Sequence, residues 1–415
     1  MQVSVRNHHR TRCKETKAGW LPYEWSCVPL GDLALVQTGL AKGKNNLRDP
    51  VKRPYLRVAN VQDGFLKLDE IKEIALEKHE VERFLLRPDD VLFTEGGDFD
   101  KLGRGTIWKG EIPGCLHQNH IFAVRCNDRR LLPDFLAAVA ASSYGRRYFL
   151  LSSKQSTNLA SINSTQLRSF PIPLPPFPEQ KRIADILSTW DTAIEQIRKL
   201  IGAKERRKKA LIWQLLTGKK RLPGLTVSWK EYRMGNLFTE RNETNNHHLP
   251  LLSITGSRGV IPASEIDRKD ASAQDKSGYK RIVPGDIGYN TMRMWQGVSA
   301  VSSLEGIVSP AYTICVPNAY VDVRFMGYLF KFPPVVHSFF RHSQGLVSDT
   351  WNLKFPHFAQ IRVRIPGVDE QHRIAEILFA VDNEIESFEK SLSAVERQKR
   401  GLMQKLLSGE VRVKV

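Results

Sequence analysis

The chain has no run of about 18 apolar residues, so a membrane-spanning helix is not expected. Its opening stretch, MQVSVRNHHRTRCKETK, is basic but has no apolar core, and so does not read as a secretory leader. With almost nothing to bury, residues 1–18 read as a disordered basic tail. Cysteine is sparse and odd in number. Cys13, Cys27, Cys115, Cys126 and Cys315 are scattered, which argues against a disulfide framework and for reduced thiols in a cytoplasmic protein. Acidic residues are also short: 44 Asp plus Glu against 62 Lys plus Arg leave a net charge of +18. That balance favours a polyanionic partner, most often nucleic acid, although a ribosomal or membrane-surface protein would show the same number.

Complete catalytic signatures are missing as well. Leu174-Pro175-Pro176-Phe177 has the outline of the catalytic loop of amino-methylating DNA methyltransferases. That loop needs Asp, Asn or Ser first, to hold the exocyclic amine of a flipped base, and Leu174 offers no acceptor. The prolines from Pro171 to Pro178 read instead as a stiff polyproline hinge. Gly39 to Asn45 is one residue short of a phosphate loop and lacks its Ser or Thr, and Gly103-Arg104-Gly105 is too short to count. Pro88-Asp89 with Glu95 has a nuclease-like beginning, but Gly97 stands where a lysine is needed, so a turn before a strand is the better reading. Cys115, His117, His120 and Cys126 do not follow a common zinc spacing, and no metal site is assigned.

What is present is a duplication. EQKRIADILSTWDTAIEQIRKLIGAKERRKKALIWQLLTG, from Glu179, aligns without a gap on EQHRIAEILFAVDNEIESFEKSLSAVERQKRGLMQKLLSG, from Glu370, at an offset of 191. About half of the positions are identical, far above chance for unrelated helices. Both copies carry an apolar seam in steps of three and four, the stripe of a coiled coil with one early stutter. The first runs Ile183, Ile186, Trp190, Ile194, Ile197, Ile201, Leu211 and Leu215. The second runs Ile374, Ile377, Val381, Ile385, Phe388, Leu392, Val395, Leu402 and Leu406. Lys208 and Lys399 sit on the seam at matching positions, and Gly218 and Gly409 suit helix C-caps. Ile212, Trp213, Leu378 and Phe379 lie off the seam, free to meet another partner or to pack on the globular segments.

The intervening segments correspond more weakly. Leu30-Gly31-Asp32-Leu33 answers Met234-Gly235-Asn236-Leu237, and Pro88-Asp89-Asp90-Val91 answers Pro284-Gly285-Asp286-Ile287. Short β-branched runs broken by Gly, Pro and Asp indicate a mixed α/β (α+β) fold. The predicted order is a globular domain over 19–177, a long helix over 178–218, a second globular domain over 219–368, a second long helix over 369–410 and a tail over 411–415. The two helices are expected to bury their stripes on each other as an antiparallel coiled coil.

Two Glu-Gln-x-Arg-Ile-Ala-x-Ile-Leu helices, each ending Leu-Leu-(Thr/Ser)-Gly behind a variable globular segment, give the chain a likeness. With Pro-Leu-Pro-Pro before Glu-Gln and the Pro-Gly-Asp-Ile turn, it resembles the specificity subunit of type I restriction–modification enzymes. The resemblance implies a non-catalytic subunit whose two target-recognition domains each read half of a split, non-palindromic site in double-stranded DNA. The paired helices would set the gap and dock two methyltransferase subunits, with motor–nuclease subunits completing the enzyme. No cofactor is then expected on this chain; S-adenosylmethionine, ATP and Mg would belong to its partners. The competing readings are a self-contained adenine methyltransferase or nuclease with degenerate motifs, and a free-standing DNA-binding regulator.

Base-reading residues are expected in polar, glycine-flanked loops. The first domain offers Asp98, Lys101, Arg104, Lys154, Gln155 and Asn158; the second offers Arg293, Trp295, Gln296, Arg341, Gln344 and Asn352. Arg, Lys, Gln and Asn suit bidentate contacts to guanine or adenine edges. A second candidate surface is the basic run Lys204, Arg206, Arg207, Lys208 and Lys209, followed by Lys219, Lys220 and Arg221, suited to phosphates.

Overall fold

A computed structural model describes residues 13–41, 47–97, 102–127, 129–155, 160–225, 227–266, 275–347 and 350–414. The chain divides into two compact units: Met1–Arg198 with Ser391–Val415, and Lys199–Lys390. Two helices of 40 residues each, Phe177–Leu216 and Val368–Leu407, contribute one part to each unit.

Each unit is built on the same four-stranded antiparallel sheet. In unit 1 the strands are β1 (Ala34–Thr38), β2 (Val91–Thr94), β3 (Gly105–Ile107) and β4 (Ile121–Cys126), in the order β1-β4-β2-β3. In unit 2 they are β5 (Phe238–Glu240), β6 (Ile287–Asn290), β7 (Ser299–Val301) and β8 (Tyr312–Pro317), in the order β5-β8-β6-β7. The inner strands are buried on both faces and read as continuous apolar runs, as in Val91-Leu92-Phe93. Aromatic side chains dominate both cores: Trp25, Phe93, Phe122, Phe135, Phe149 and Phe170 in unit 1, Phe238, Tyr289, Phe325, Phe330, Phe339 and Phe358 in unit 2.

The long helices close these cores. Ile183, Leu187, Leu406 and Leu407 enter the core of unit 1; Leu215, Leu216, Ile374, Ala375 and Leu378 enter that of unit 2. The seam residues Ile183, Leu215, Ile374 and Leu406 are therefore buried, whereas Ile197, Ile201, Ile385, Phe388, Leu392 and Val395 are half-exposed. Asp191 pairs with Lys399 and Arg198 with Glu396 in unit 1; Lys204 pairs with Glu384 and Lys208 with Asp382 in unit 2. In both units the partner numbers rise on one helix as they fall on the other, the sense of an antiparallel pair. Off the seam, Trp213 sits edge-on against Phe332 at 5.3 Å, and Ile212 packs on the same core. Both helices end alike: Gly218 and Gly409 take φ of +69° and +71°, with Lys220 N–H and Val411 N–H donating back to Gln214 and Lys405 carbonyls.

Two expectations are corrected. Residues 13–18 are not part of a disordered tail: strand Cys13–Thr16 pairs with Gly19–Pro22, and the buried Leu21 and Trp25 just beyond anchor the hairpin. Residues 1–12 lie outside the described residues. Pro171–Leu174 is not a polyproline hinge but a strand paired antiparallel with Ser26–Pro29, with three of its four residues buried. Prolines at alternate positions leave Ile172 and Leu174 to donate, which a two-stranded edge tolerates. The equivalent strand in unit 2, Arg362–Ile365, pairs with Lys230–Arg233. Among the described residues, no helix is long and apolar enough to cross a membrane.

Candidate nucleic-acid interface

The residues shared by the two copies hold the frame. Glu179 and Glu370 are buried, and each takes a bidentate arginine 191 positions apart in sequence: Arg412 at 2.7 and 2.9 Å, Arg221 at 2.7 and 2.8 Å. The neighbouring Gln180 donates to the Arg130 and Pro175 carbonyls and accepts from Leu132 N–H. Gln371 does the same with the Tyr320 and Pro366 carbonyls and Asp322 N–H. Each Glu-Gln pair thus clamps a helix start to its own globular domain. The carbonyls of Leu-Pro-Pro-Phe serve that clamp, since Pro175 O takes Gln180 and Pro176 O takes the Glu179 and Gln180 N–H groups.

The turn before the central strand is also shared. Asp90 accepts from Arg87 N–H and holds Arg125 at 2.8 and 2.7 Å; Asp286 accepts from Val283 N–H and holds Arg241 at 2.8 and 3.1 Å. Pro-Gly-Asp and Pro-Asp-Asp make one geometry, because Asp89 takes the left-handed conformation (φ +70°) that Gly285 takes at +92°. Asp286, hydrogen-bonded to Arg241, holds that guanidinium above its ordinary range.

Beyond this frame the copies diverge, both in their smaller sheets and at the end of each central sheet. In unit 1, β2 runs into Gly96–Gly97, which pairs with Ala160–Ser161, which pairs with Lys154–Gln155. A Cβ on Gly96 would stand 2.2 Å from Ala160 O, so only glycine allows this approach. In unit 2, Gln344 and Asn352 exchange two N–H···O bonds of 2.8 Å, and Leu353 N–H reaches Thr291 O at 2.9 Å. That last bond is the counterpart of Ile162 N–H to Glu95 O, at 2.8 Å.

The sequence-predicted residues fall around these ends. Lys154 and Gln155 are exposed, but Gln155 Nε2 donates to Leu150 O. Arg104 is half-buried and donates to Gln62 Oε1. Asp98, Lys101 and Asn158 lie outside the described residues. In unit 2, Arg293, Gln296 and Arg341 are exposed. Asn352 spends its amide donors on the Gln344 and Thr350 carbonyls, so only its oxygen stays available. Trp295 meets Trp351 edge-on at 5.2 Å, and Trp351 meets Phe340 at 4.9 Å, which joins the two predicted loops of unit 2. Trp351 and Phe340 were not legible as partners, because a lone aromatic in a polar stretch carries no periodic signal.

The comparisons with known proteins bear on this architecture. A family model described as type I restriction modification DNA specificity domain matches residues 22–204 and 330–397, more than half of the chain. The chain belongs to that family. It is 23% identical over 443 residues to the type I restriction enzyme MjaVIII specificity subunit of Methanocaldococcus jannaschii, covering all of this chain and 99% of that one. It is 23% identical to the EcoBI specificity subunit of Escherichia coli over 93% of this chain and 86% of that one. Two solved structures share the fold. One, published on complex assembly and conformational transition of the type I R-M system, gives a TM-score of 0.62 at 18% identity, over 94% and 99% of the two chains. The HsdS subunit from Thermoanaerobacter tengcongensis gives 0.51 at 17%, over 94% and 98%.

For a chain of this specificity family, the remaining sequence candidates sort by geometry. In the basic run, Lys204, Lys208 and Arg221 are committed to Glu384, Asp382 and Glu370, and Lys219 lies over the Trp213 ring; Arg206, Arg207 and Lys209 face solvent. Cys115 and His117 are buried in the unit 1 core, where desolvation pushes the thiol up to about 12 and holds the imidazole below its ordinary range. His120 is exposed and pairs with Glu95. Among the described residues, no three His, Cys, Asp or Glu side chains converge as a metal set would.

Proposed function

We propose that this chain is the DNA specificity subunit of a type I restriction–modification complex, in which each unit reads one half of a split, non-palindromic duplex target. The single observation carrying this reading is one frame used twice with different ends. Glu-Gln clamps, buried Asp–Arg pairs and sheet order are common to both units, whereas the loops at the ends are not. A protein reading two different half-sites with one scaffold must be built so, because its specificity has to vary while its geometry does not.

The long helices, as an antiparallel coiled-coil spacer, fix the unread gap. Two modules so joined gain effective concentration only on targets of matching separation. The domain limits given above, with the first domain extended back to Cys13, the docking of two methyltransferase subunits and the addition of motor–nuclease subunits belong to the same proposal. S-adenosylmethionine, ATP and Mg are assigned to those partners, and a cytoplasmic setting follows from the DNA target.

The test is a methylome map from a methylation-free host expressing this chain, a cognate methyltransferase subunit, or both. N6-methyladenine at one split motif only in the double culture is expected. Methylation by this chain alone would make Leu-Pro-Pro-Phe an active site and overturn the proposal; so would failure of the two proteins to associate.

A further inference from the structure

Unit 2 exposes an apolar arm that its fold does not use. Leu346 is fully solvent-exposed and Val347 is 59% exposed, although burying such side chains is what normally stabilises a fold. The described base of the arm is fixed in place. Gln344 and Asn352 close its base with paired 2.8 Å bonds, and Trp351, beside Asn352, is wedged between Trp295 and Phe340. Gly345, at φ +141°, passes so close to Thr350 that a Cβ would lie 2.7 Å from its carbonyl carbon. In the other copy the pairing that answers Gln344 with Asn352 is Lys154 with Ser161, so the base of the arm is a place where the shared frame carries different side chains.

We propose that Leu346 and Val347 form an apolar finger that contacts the bases of the half-site read by unit 2. The proposal rests on the DNA-specificity reading above. Arg293 and Arg341 stand exposed on the flanking loop and helix, a charge setting complementary to phosphates rather than to an apolar protein surface. The ligand is the apolar part of a base pair. Two forms of it exist: the C5 methyl of thymine in the major groove, and the face of a partly unstacked base in the minor groove.

The experiment uses the full chain co-purified with its methyltransferase subunits, as wild type, Leu346→Ala, the double variant Leu346→Ala/Val347→Ala, and Val227→Ala as an exposed control. Methylome motifs are mapped, and initial methylation rates are measured on a plasmid bearing the mapped site. Because Leu346 is fully exposed, its truncation removes no buried contact from the fold. A thymine contact predicts loss of preference at one T·A pair in one half of the motif only. A wedge predicts an unchanged motif with at least a tenfold slower rate. The control keeps both motif and rate. Wild-type motif and rate in both variants would overturn the finger. A loss of methyltransferase co-purification, with motif and rate unchanged in the assembled fraction, would make the arm a protein-docking surface and equally overturn it. Absence of any methylated motif from the wild-type complex would instead refute the specificity reading, and this inference with it.

Discussion

Replacing Arg412 by alanine tests whether the C-terminal segment is part of unit 1. Arg412 donates from Nε and Nη2 to the Glu179 carboxylate at 2.7 and 2.9 Å, and Trp25 Nε1 adds a third bond at 3.0 Å. The Glu179 side chain is 3% exposed and that of Arg412 41%. Removing one partner of a buried ion pair costs about 3–5 kcal/mol when the orphaned charge stays dry. Here the outer half of the pair is open, so water enters where the guanidinium was, and Trp25 keeps its bond. About 2–3 kcal/mol is the expected loss, once the buried-pair figure is discounted for solvent. For a unit of roughly 220 residues that lowers Tm by about 4–12 °C. Glu179→Gln should cost less, because Arg412 can turn to water, and the double variant should fall short of the sum by about 1–2 kcal/mol. Calorimetry of the four proteins gives the cycle. Strict additivity, or a shift under about 2 °C for Arg412→Ala, would refute the reasoning.

Other expectations follow from the same geometry. Because burial holds His117 below its ordinary range, the unfolded chain binds a proton near pH 6.5 that the native chain refuses. Its contribution is therefore complete above about pH 6.5 and is lost as pH falls, by at most about 1.4 kcal/mol per unit; His117→Gln should flatten the slope of unit 1 stability between pH 7 and 5.5, as read by melts. Gly96→Ala drives a Cβ to 2.2 Å from Ala160 O and should cost about 1–3 kcal/mol. Its methylome should degrade in one half of the motif only. Asp89→Gly relieves a left-handed backbone worth about 1–2 kcal/mol and sacrifices an exposed Lys109 pair worth about 0–1. A net gain of about 0.5–1 kcal/mol is expected, and a destabilised variant in urea titration would count against equivalence with Gly285.

The frame was legible because its residues do the same job twice. Glu179, Gln180, Glu370 and Gln371 are buried polar groups with fixed partners, so neither copy can change one without orphaning another. Lys208 and Lys399 announced themselves as charges on an apolar seam, and each meets an aspartate, Asp382 or Asp191, at matching repeat positions. The prolines of Pro171–Leu174 misled because local propensity favours an extended helix. What decides is a partner strand some 140 residues earlier, and no local pattern carries that. Residues 13–18 misled for the same reason: their order comes from pairing with Gly19–Pro22 and from the buried Trp25, not from their own composition.

The ends of the sheets resist reading for a different cause. A frame position is constrained by what it touches inside the chain, and those contacts leave a signature in residue type and spacing. A reading position is constrained by a molecule outside the chain, so its residue type follows the target and not the fold. Ala160 and Trp351 show the contrast. Each comes one residue before the position that pairs across the end, Ser161 with Lys154 and Asn352 with Gln344, yet one is a small residue packed against glycine and the other a tryptophan braced by two aromatics. Nothing in the shared frame demands either. On the proposed function each end is shaped to its own half-site, which is why the expected asymmetry of the methylated motif, and not its existence alone, is the sharper consequence of this structure.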